Sequence, residues 1–469
     1  MNAAAGTFAP DGRVQIRWIE QPLDHFDKKE KRMWLMRYFE RLDFWRPNGP
    51  IYLFIGGEGE AHPGFLKAGM IYELAKETSG AMIMSEHRYY GKSMPLENRG
   101  VKNLRFLSAR QALADIEKLL KRMKLLPGFK NSKVVAIGGS YPGNMAAWLK
   151  LLYPNLIDAA LASSAPVLAQ KNFKEYLETV SDDYEQYGTP QCWDYIKQKF
   201  EHYDNSFKTK AGIRKLKEEE GICESSDMNR PENQQLFVYS EASAFMGVAQ
   251  YGTEKRIRKH CEQLMDDDSS EVKNNSLRSI FINDSKKHLW NRDEECYEID
   301  FDEIIVEIRK GGSWLTSWVF QMCNEFSYAK STSSENQPFG KNIPIETFYK
   351  ICTLSFGPEY DEAGIEETVK KTNELYGGLT PNVTKVIFVN GELDPWHRLG
   401  ILEDVSYDAP SKFIPRSSHC RDLLPNRDGD PDELVETRKY IKYLIKHWIG
   451  IEPCDLKDKR KECKNNEKS

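Results

Sequence analysis

Short apolar runs alternate with amphipathic segments in the first third of the chain. Residues 50–55, 81–85 and 133–137 are dominated by apolar side chains, several of them β-branched, as is typical of buried strands. Apolar residues recur at helical spacing over 109–120, and a second helix is predicted over 142–152. Strands that alternate with helices in this way predict a mostly parallel sheet with helices on both faces, and therefore an α/β fold.

The same alternation returns near the end of the chain. Strands are predicted over 385–389 and 411–415, each followed by a polar loop. Residues 432–448 carry apolar side chains at helical spacing and predict a long amphipathic helix. The two alternating segments are therefore expected to form one core domain, interrupted by the residues between them.

The intervening residues follow a different pattern. Apolar residues recur at helical spacing from 173 to 184, further helices are predicted over 236–249 and 256–264, and no convincing strand–turn–strand signal is present from 172 to about 310. This part is predicted to be a mainly helical insert. The expected organisation is a first core segment over 14–170, the insert over 171–315, a second core segment over 316–450 and a charged tail over 451–469.

Composition and charge exclude several classes of protein. The 469 residues include 66 Lys and Arg against 71 Asp and Glu, a formal net charge of −5, so no nucleic-acid partner is expected. With 40% hydrophobic residues the chain can build a packed core. No stretch approaches the roughly 18 consecutive apolar residues that a membrane helix needs, so no membrane partner is expected either.

Nine cysteines suggest disulfide bonds rather than a metal site. Six lie between residues 192 and 352, and no pair has the C-x-x-C spacing of a zinc ligand set. We expect most of these six to be bonded, holding the insert together and tying it to the core. Because nine is odd, at least one thiol should be unpaired or bridge to another chain. The oligomeric state stays open between a monomer and a homodimer.

Three Asn-x-Ser/Thr sequons, at Asn274, Asn283 and Asn382, accompany the cysteines. Together these features predict a glycosylated protein of the secretory pathway. The first residues contain neither a basic n-region nor an apolar h-region, so no signal peptide is visible. We expect that the numbering begins after processing, or that the first residues are artificial.

Ser140 has the sequence context of a nucleophile elbow. A predicted strand leads into Gly138 and Gly139, and a predicted helix begins directly after the serine. In the usual G-x-S-x-G pattern a glycine follows two places later; here Pro142 takes that place and Gly143 comes next. Proline fits if it lies in the first helical turn, where its missing N–H has no intrahelical acceptor. The alternative is an ordinary Gly-Gly-Ser turn.

A nucleophilic serine needs a base and an acid that orients it, in the chain order Ser, acid, His. Three histidines lie far enough downstream, at His397, His419 and His447. His419 follows a predicted strand, 25 residues after Asp394, and is the expected base. Asp394 is the expected acid and Glu392 its rival in the same loop. The other two histidines are expected to have packing or surface roles.

The predicted nucleophile and acid are 254 residues apart in the chain. One or two strand–helix units need roughly 30 residues each, so most of this gap must be the helical insert. An insertion at this point emerges at the edge of the sheet where the candidate catalytic residues meet. We therefore expect it to form a cap that restricts access to them.

The glycine-rich segment at 56–60 follows a predicted strand but lacks the G-x-G-x-x-G spacing of a dinucleotide site. We interpret it as a backbone loop beside the nucleophile, and no cofactor is predicted. The expected oxyanion donors are the backbone N–H groups of Tyr141 and Gly57. The Tyr141 hydroxyl is a further candidate donor.

Seven ordered motifs resemble one family, the proline-directed serine peptidases, which includes lysosomal Pro-X carboxypeptidase, dipeptidyl peptidase II and thymus-specific serine protease. The motifs are GGEGE at 56–60, EHRYYG at 86–91, LRFLS at 104–108, GGSY at 138–141, SSAPV at 163–167, NGELDPW at 390–396 and SHC at 418–420. The resemblance covers about residues 17–450, and two of the motifs, LRFLS and SHC, are most similar to those of the thymus-specific branch.

The resemblance implies an α/β-hydrolase fold with a helical cap, peptide substrates, and cleavage beside proline, usually at acidic pH. Ser140 matches the family's nucleophile, Asp394 its acid and His419 its base. It also implies a lysosomal, endosomal or extracellular location. Pro142 departs from the small residue that is usual at its position in the two characterised exopeptidases.

Aromatic side chains are candidates for an apolar slot that accepts a proline ring. Trp396, beside the expected acid, is the strongest candidate. Trp314 and Trp318 are four residues apart and could equally be core residues, and Met145 is expected to have a packing role more than a binding one. Separately, Glu86 and Arg88 are expected to form a buried ion pair or a strand-end salt bridge.

Two functional classes remain after these observations. The favoured one is a serine exopeptidase of the carboxypeptidase or dipeptidyl peptidase type, acting through an acyl-enzyme. The alternative is a catalytically silent α/β-hydrolase that binds other proteins, against which the complete set of Ser140, Asp394 and His419 argues. A lipase or esterase is disfavoured because the insert is charged and polar.

Overall fold

The computed structural model of the protein describes residues 13–266, 290–291 and 296–451. Of the predicted glycosylation sites, Asn382 is described and exposed, whereas Asn274 and Asn283 lie outside the described residues. None of the described helices is long and apolar enough to span a bilayer.

The strands form one large sheet and two small ones. They are β1 (Gln15–Pro22), β2 (Met33–Arg41), β3 (Ile51–Phe54), β4 (Ala81–Ser85), β5 (Val134–Gly139), β6 (Ala159–Ser163), β7 (Gln170–Asn172), β8 (Trp290–Asn291), β9 (Cys296–Tyr297), β10 (Ser327–Ala329), β11 (Val386–Gly391) and β12 (Ser411–Ile414). The large sheet has the order β1-β2-β4-β3-β5-β6-β11-β12. Its pairs are parallel except for β1 with β2 and β2 with β4.

The middle strands of this sheet are buried over their whole length. Every residue of β3, β4, β5, β6 and β11 is buried. Because helices cover both faces of a parallel sheet, such strands appear in the sequence as continuous apolar runs rather than as alternating patterns. The apolar runs identified in the sequence therefore correspond to the centre of the sheet.

The helices fall into a core set and an inserted set. They are α1 (Met70–Thr78), α2 (Val101–Leu104), α3 (Ala109–Lys124), α4 (Tyr141–Leu152), α5 (Glu175–Tyr187), α6 (Cys192–Ser206), α7 (Lys210–Glu220), α8 (Pro231–Tyr251), α9 (Glu254–Met265), α10 (Phe301–Lys310), α11 (Trp314–Gln321), α12 (Ile345–Phe356), α13 (Glu362–Tyr376) and α14 (Asp432–Trp448). Helices α1 and α14 pack on one face of the sheet, and α3 and α4 on the other. The sheet order and this two-sided packing confirm the predicted α/β-hydrolase fold.

Helices α5 to α13 lie between β6 and β11 in the chain, and several of them pack on one another. The short strands β7 and β10 pair in parallel, one before α5 and the other after α11. The predicted helices in this part are present, with α8 and α9 each extending a few residues beyond their predicted ends. The strands β8 and β9 were not predicted, because two residues each are too few to produce a sequence signal.

Three disulfide bonds connect elements of the helical part, which confirms that the cysteines from 192 to 352 are bonded. Cys192 of α6 is bonded to Cys261 of α9. Cys223, which follows α7, is bonded to Cys296 of β9, and Cys323, which follows α11, is bonded to Cys352 of α12. Each bond closes within one predicted segment, so the expectation that a disulfide ties the insert to the core is wrong. Cys420 is a buried free thiol, and Cys454 and Cys463 lie outside the described residues.

Replacing both Cys192 and Cys261 by serine is expected to lower the free energy of unfolding by roughly 2–4 kcal/mol, because the bond closes a loop between residues 69 apart in the chain. Chemical denaturation of the oxidised proteins measures the loss. Cys420→Ser also replaces a sulfur atom by oxygen but breaks no disulfide bond. Its effect on the free energy of unfolding should therefore be smaller. Equal losses in the two variants would contradict a stabilising role of the bond.

Candidate active site

The turn between β5 and α4 holds Ser140 in a strained backbone conformation. Its φ is 65° and its ψ is −136°, a combination that residues with a side chain seldom adopt. The Ser140 N–H donates to the Ser163 carbonyl of β6 at 2.9 Å, and the Ser140 carbonyl accepts the Gly143 N–H at 2.8 Å. The side chain stays partly exposed at the carboxyl end of β5. This is the geometry of a nucleophile elbow.

Two glycines allow strand and helix to approach at this turn. A Cβ atom on Gly138 would overlap the Pro142 carbonyl, and one on Gly143 would lie 2.7 Å from the Ser163 carbonyl oxygen. Pro142 lies in the first turn of α4, where its missing N–H costs no hydrogen bond. The second glycine of the usual pattern is therefore displaced by one position without loss of the close approach.

The glycine-rich loop at 56–60 lies against the same turn. A Cβ atom on Gly57 would lie 2.4 Å from Cγ and 2.7 Å from Cδ of Pro142, so a larger residue here would displace the loop or the proline ring. The contact brings together the two stretches that carry the predicted oxyanion donors, Gly57 and Tyr141.

Asp394 and His419 form a buried pair. Nδ1 of His419 lies 2.7 Å from Oδ2 of Asp394, and both side chains are almost completely buried. The other Asp394 oxygen accepts the Trp396 N–H at 3.1 Å, so the carboxylate is held in one orientation. Burial is the largest single effect and disfavours the imidazolium, but the charges and hydrogen bonds of Asp394 and Cys420 together raise the pKa of His419.

The other candidates for base and acid have different partners. Glu392 accepts the Tyr187 hydroxyl at 3.0 Å and the Arg416 N–H at 2.7 Å. His397 is buried with its ring edge-on to that of Phe413, and His447 is exposed and stacks on Tyr443. Of the residues considered in the sequence, only Asp394 faces His419.

The second ring nitrogen of His419, Nε2, is buried and has no hydrogen-bond partner among the described residues. The Ser140 hydroxyl therefore makes no hydrogen bond to this nitrogen in the structure. A buried nitrogen without a partner is unfavourable, so Nε2 is available to a hydroxyl or to a substrate proton.

Two hydrogen bonds connect the loop that carries His419 to the end of β6. Ser163 donates to Asp422 at 2.5 Å, and the Cys420 N–H donates to the Ser164 hydroxyl at 2.9 Å. Burial raises the pKa of Asp422 to about 6. Because the Ser163 carbonyl also receives the Ser140 N–H, the end of β6 positions both the candidate nucleophile and the candidate base.

The Tyr141 hydroxyl is engaged in a buried network on the far side of the turn. Burial lowers the pKa of His87 to about 4, so its ring is neutral near pH 7. His87 Nδ1 lies 2.7 Å from the Arg88 carbonyl and must donate to it, so Nε2 accepts the Tyr141 hydroxyl at 2.9 Å. Gln321 donates to the same hydroxyl at 3.0 Å. The Tyr141 hydroxyl is therefore not the additional oxyanion donor that the sequence suggested.

Glu86 and Arg88 do not pair with each other, and this prediction is wrong. Glu86 pairs with Arg37 of β2 at 2.5 Å, whereas Arg88 pairs with Asp115 of α3 at 2.7 Å. The two side chains meet different elements, β2 for Glu86 and α3 for Arg88. Glu86 also accepts the Ala61 N–H at 3.1 Å, so its ion pair anchors the end of the glycine-rich loop.

Three of the four predicted pocket residues, Met145, Trp318 and Trp396, belong to or pack on one hydrophobic core, and Trp314 does not. Trp396 is 9% exposed and contacts the rings of Phe173, Tyr176 and Tyr328. The half-buried Trp318 lies 5.9 Å from the Tyr141 ring between centroids, but Trp314 points outwards and is 39% exposed. Met145 is fully buried in the core.

Several residues near the site carried no sequence signal. Tyr176 donates its hydroxyl to Gln250 at 2.6 Å, and the Gln250 carbonyl accepts the His419 N–H at 2.9 Å. The Tyr251 ring stands edge-on to that of His419 at 5.7 Å. Lys330 lies over the rings of Tyr176 and Trp396. These positions come from separate elements, so only the folded chain brings them to the site.

Gly138→Ala is expected to destabilise the elbow by several kcal/mol and to abolish labelling of Ser140 by an active-site probe, because the added methyl group overlaps backbone. Thermal unfolding and probe labelling together measure this. Gly312→Ala is the matched control, since its Cβ would meet nothing within 4 Å. Normal labelling of the Gly138 variant would contradict the close approach described above.

Comparison with known proteins agrees with this geometry. The family model described as serine carboxypeptidase S28 matches residues 21–441. Mouse thymus-specific serine protease is 31% identical over 92% of this chain and 87% of its own length. Bovine lysosomal Pro-X carboxypeptidase is 27% identical over 93% and 88%, and a putative serine protease of Caenorhabditis elegans, F56F10.1, is 29% identical over 94% and 85%. The chain belongs to the serine carboxypeptidase S28 family of serine peptidases.

Proposed function

We propose that the protein is a serine exopeptidase that cleaves peptides next to proline. The observation that carries this proposal is the oriented pair of Asp394 and His419, with an unpartnered Nε2. The end of β6 binds both the loop of His419 and the backbone of Ser140, a serine held at positive φ. Membership of a serine peptidase family supports the reaction class, and similarity to proteins named Pro-X carboxypeptidase supports the preference for proline.

In the proposed reaction Ser140 is the nucleophile. Its hydroxyl attacks the substrate carbonyl carbon while Nε2 of His419 takes the proton, and Asp394 stabilises the resulting imidazolium. The same proton then passes to the leaving amine, which gives an acyl-enzyme. Water, activated by His419, hydrolyses the ester and releases the acyl product.

The developing oxyanion is stabilised by backbone N–H groups. We assign this role to Tyr141 and Gly57, each worth about 3 kcal/mol in the transition state. The contact between Gly57 and Pro142 supports the assignment, because it brings the loop to the first turn of α4. Glu86, paired with Arg37, accepts the Ala61 N–H and so holds the end of the glycine-rich loop at 56–60.

The helical insert, proposed to cover 171–315, acts as a cap in this reading. Helices α5 and α8 reach the candidate base, since Tyr176 bonds to Gln250 and the Gln250 carbonyl holds the His419 N–H. A cap that contacts the base leaves room for an extended peptide end rather than for a folded protein. The aromatic cluster around Trp396 is proposed as the wall of the proline site, with Trp318 as a further candidate.

A secretory route fits the three disulfide bonds, which form in oxidising compartments. We propose a lysosomal, endosomal or extracellular location. Asn382 is the proposed glycosylation site that the structure describes, and its exposure supports that role.

Asp394→Asn is expected to lower kcat by roughly 10⁴-fold, because the amide cannot hold the required histidine tautomer or stabilise the imidazolium. Glu392→Gln, in the same loop, should reduce kcat far less, since Glu392 faces Tyr187 and Arg416. Steady-state hydrolysis of peptides gives kcat, and covalent labelling by a fluorophosphonate, absent in Ser140→Ala, identifies the nucleophile. A larger loss in the Glu392 variant, or labelling that survives Ser140→Ala, would refute the assignments.

A peptide panel tests the substrate preference. Cleavage is expected after proline near one peptide end, and alanine at the same position should be cut roughly 10- to 200-fold more slowly, because the smaller side chain forfeits about 1–3 kcal/mol of apolar contact. Mass spectrometry of peptides with free and blocked termini measures the preference for proline and the end of the peptide at which cleavage occurs. Rapid cleavage at many internal positions without proline, dependent on Ser140, would show that the proposed cap does not restrict access.

A further inference from the structure

Lys330 places a positive charge beside the candidate active site. The residue directly follows β10 and is partly buried. Its Nζ atom lies 4.3 Å from the ring centroid of Tyr176 and 5.0 Å from that of Trp396. The ammonium group is therefore held against two aromatic faces, which attract a cation without neutralising it.

Within the described part of the chain Lys330 has no hydrogen-bond or ion-pair partner. This differs from Lys171, also partly buried, which pairs with Glu362 and Glu366. Burial lowers the pKa of Lys330 to about 8, because no carboxylate offsets the loss of water. A partly desolvated ammonium group with three N–H donors thus remains open to an anion.

The charge of Lys330 lies close to the candidate acid and base. Trp396 is two residues from Asp394, and the hydroxyl of Tyr176 bonds to Gln250, whose carbonyl holds the His419 N–H. The two residues whose rings support Lys330 therefore also bind the site: the Trp396 backbone N–H donates to Asp394, and Tyr176 bonds to the residue that holds His419. Lys330 is thus connected to the candidate acid through Trp396, and to the candidate base through Tyr176 and its partner Gln250.

We propose that Lys330 is a specificity-determining residue that binds a carboxylate of the peptide substrate. The carboxylate is either the free carboxyl terminus or the side chain of an Asp or Glu close to the scissile bond. This inference rests on the proposed peptidase function and names the charge that the substrate carries. A neutral or amidated end at this position would leave the ammonium without a partner.

The test compares Lys330→Met and Lys330→Arg with the wild type on matched peptides. One pair differs only in a free or an amidated carboxyl terminus, and a second pair, amidated, differs in Glu or Gln next to the scissile bond. The wild type should prefer the member with the carboxylate in one of the two pairs by at least tenfold in kcat/KM, mainly through KM. In Lys330→Met that ratio should fall towards one, and Lys330→Arg should largely restore it. The pair that responds identifies the source of the carboxylate.

Lys341→Met is the matched control, because Lys341 is 76% exposed and pairs only with an exposed glutamate, Glu335. Its ratios should equal those of the wild type. If Lys330→Met lowers kcat/KM equally for both members of each pair, Lys330 supports the aromatic cluster and the proposal is refuted. Fluorophosphonate labelling and thermal unfolding show that each variant is folded.

Binding of the same peptides to Ser140→Ala and to the double variant Ser140→Ala, Lys330→Met separates this inference from the proposed function. Carboxylate-selective binding that is lost in the double variant supports the role of Lys330 even if the wild type hydrolyses no peptide. Conversely, hydrolysis by the wild type without selectivity for a carboxylate would retain the peptidase and refute the role of Lys330.

Discussion

The close approach of β5, α4 and β6 is the constraint on which the rest of the site depends. Gly138 and Gly143 have no Cβ atom, and a Cβ atom at either position would force these elements apart. The strained φ of Ser140 follows, because the chain must reverse direction within a single residue. The cost of this strain is offset by the hydrogen bond to Ser163 and by the buried apolar residues of β5 and α4.

The buried ionic groups around the site are distributed among elements far apart in the sequence. Arg37 of β2 joins Glu86 after β4, and Arg88 joins Asp115 of α3. Each pair also bonds to backbone: Glu86 to Ala61, and Arg88 to the Leu23 carbonyl at 3.0 Å. A buried ion pair is a weak source of stability, but these pairs fix the loops that border the elbow.

Local pattern predicted five of the eight strands of the large sheet, because burial on two faces is encoded in consecutive residues. Strands β1, β2 and β6 and helix α1 were not predicted. The strand at 81–85 and the helix at 432–448 have the predicted bounds, and the context of Ser140 was sufficient to predict the elbow. The prediction that Glu86 pairs with Arg88 was wrong, because closeness in the sequence does not determine which neighbouring element each side chain meets. The roles of Gln250 and Lys330 likewise depend on contacts across the insert, which no local period encodes.

The order of the strands has a consequence for the biosynthesis of the protein. Asp394 follows β11, which pairs with β6, and His419 follows β12, the last strand of the sheet. Neither residue can reach Ser140 until the ribosome has synthesised nearly all of the described chain. The nascent polypeptide therefore carries the candidate nucleophile and the helical part without the candidate acid and base, and the three residues share one sheet only after the carboxyl-terminal strands have joined it.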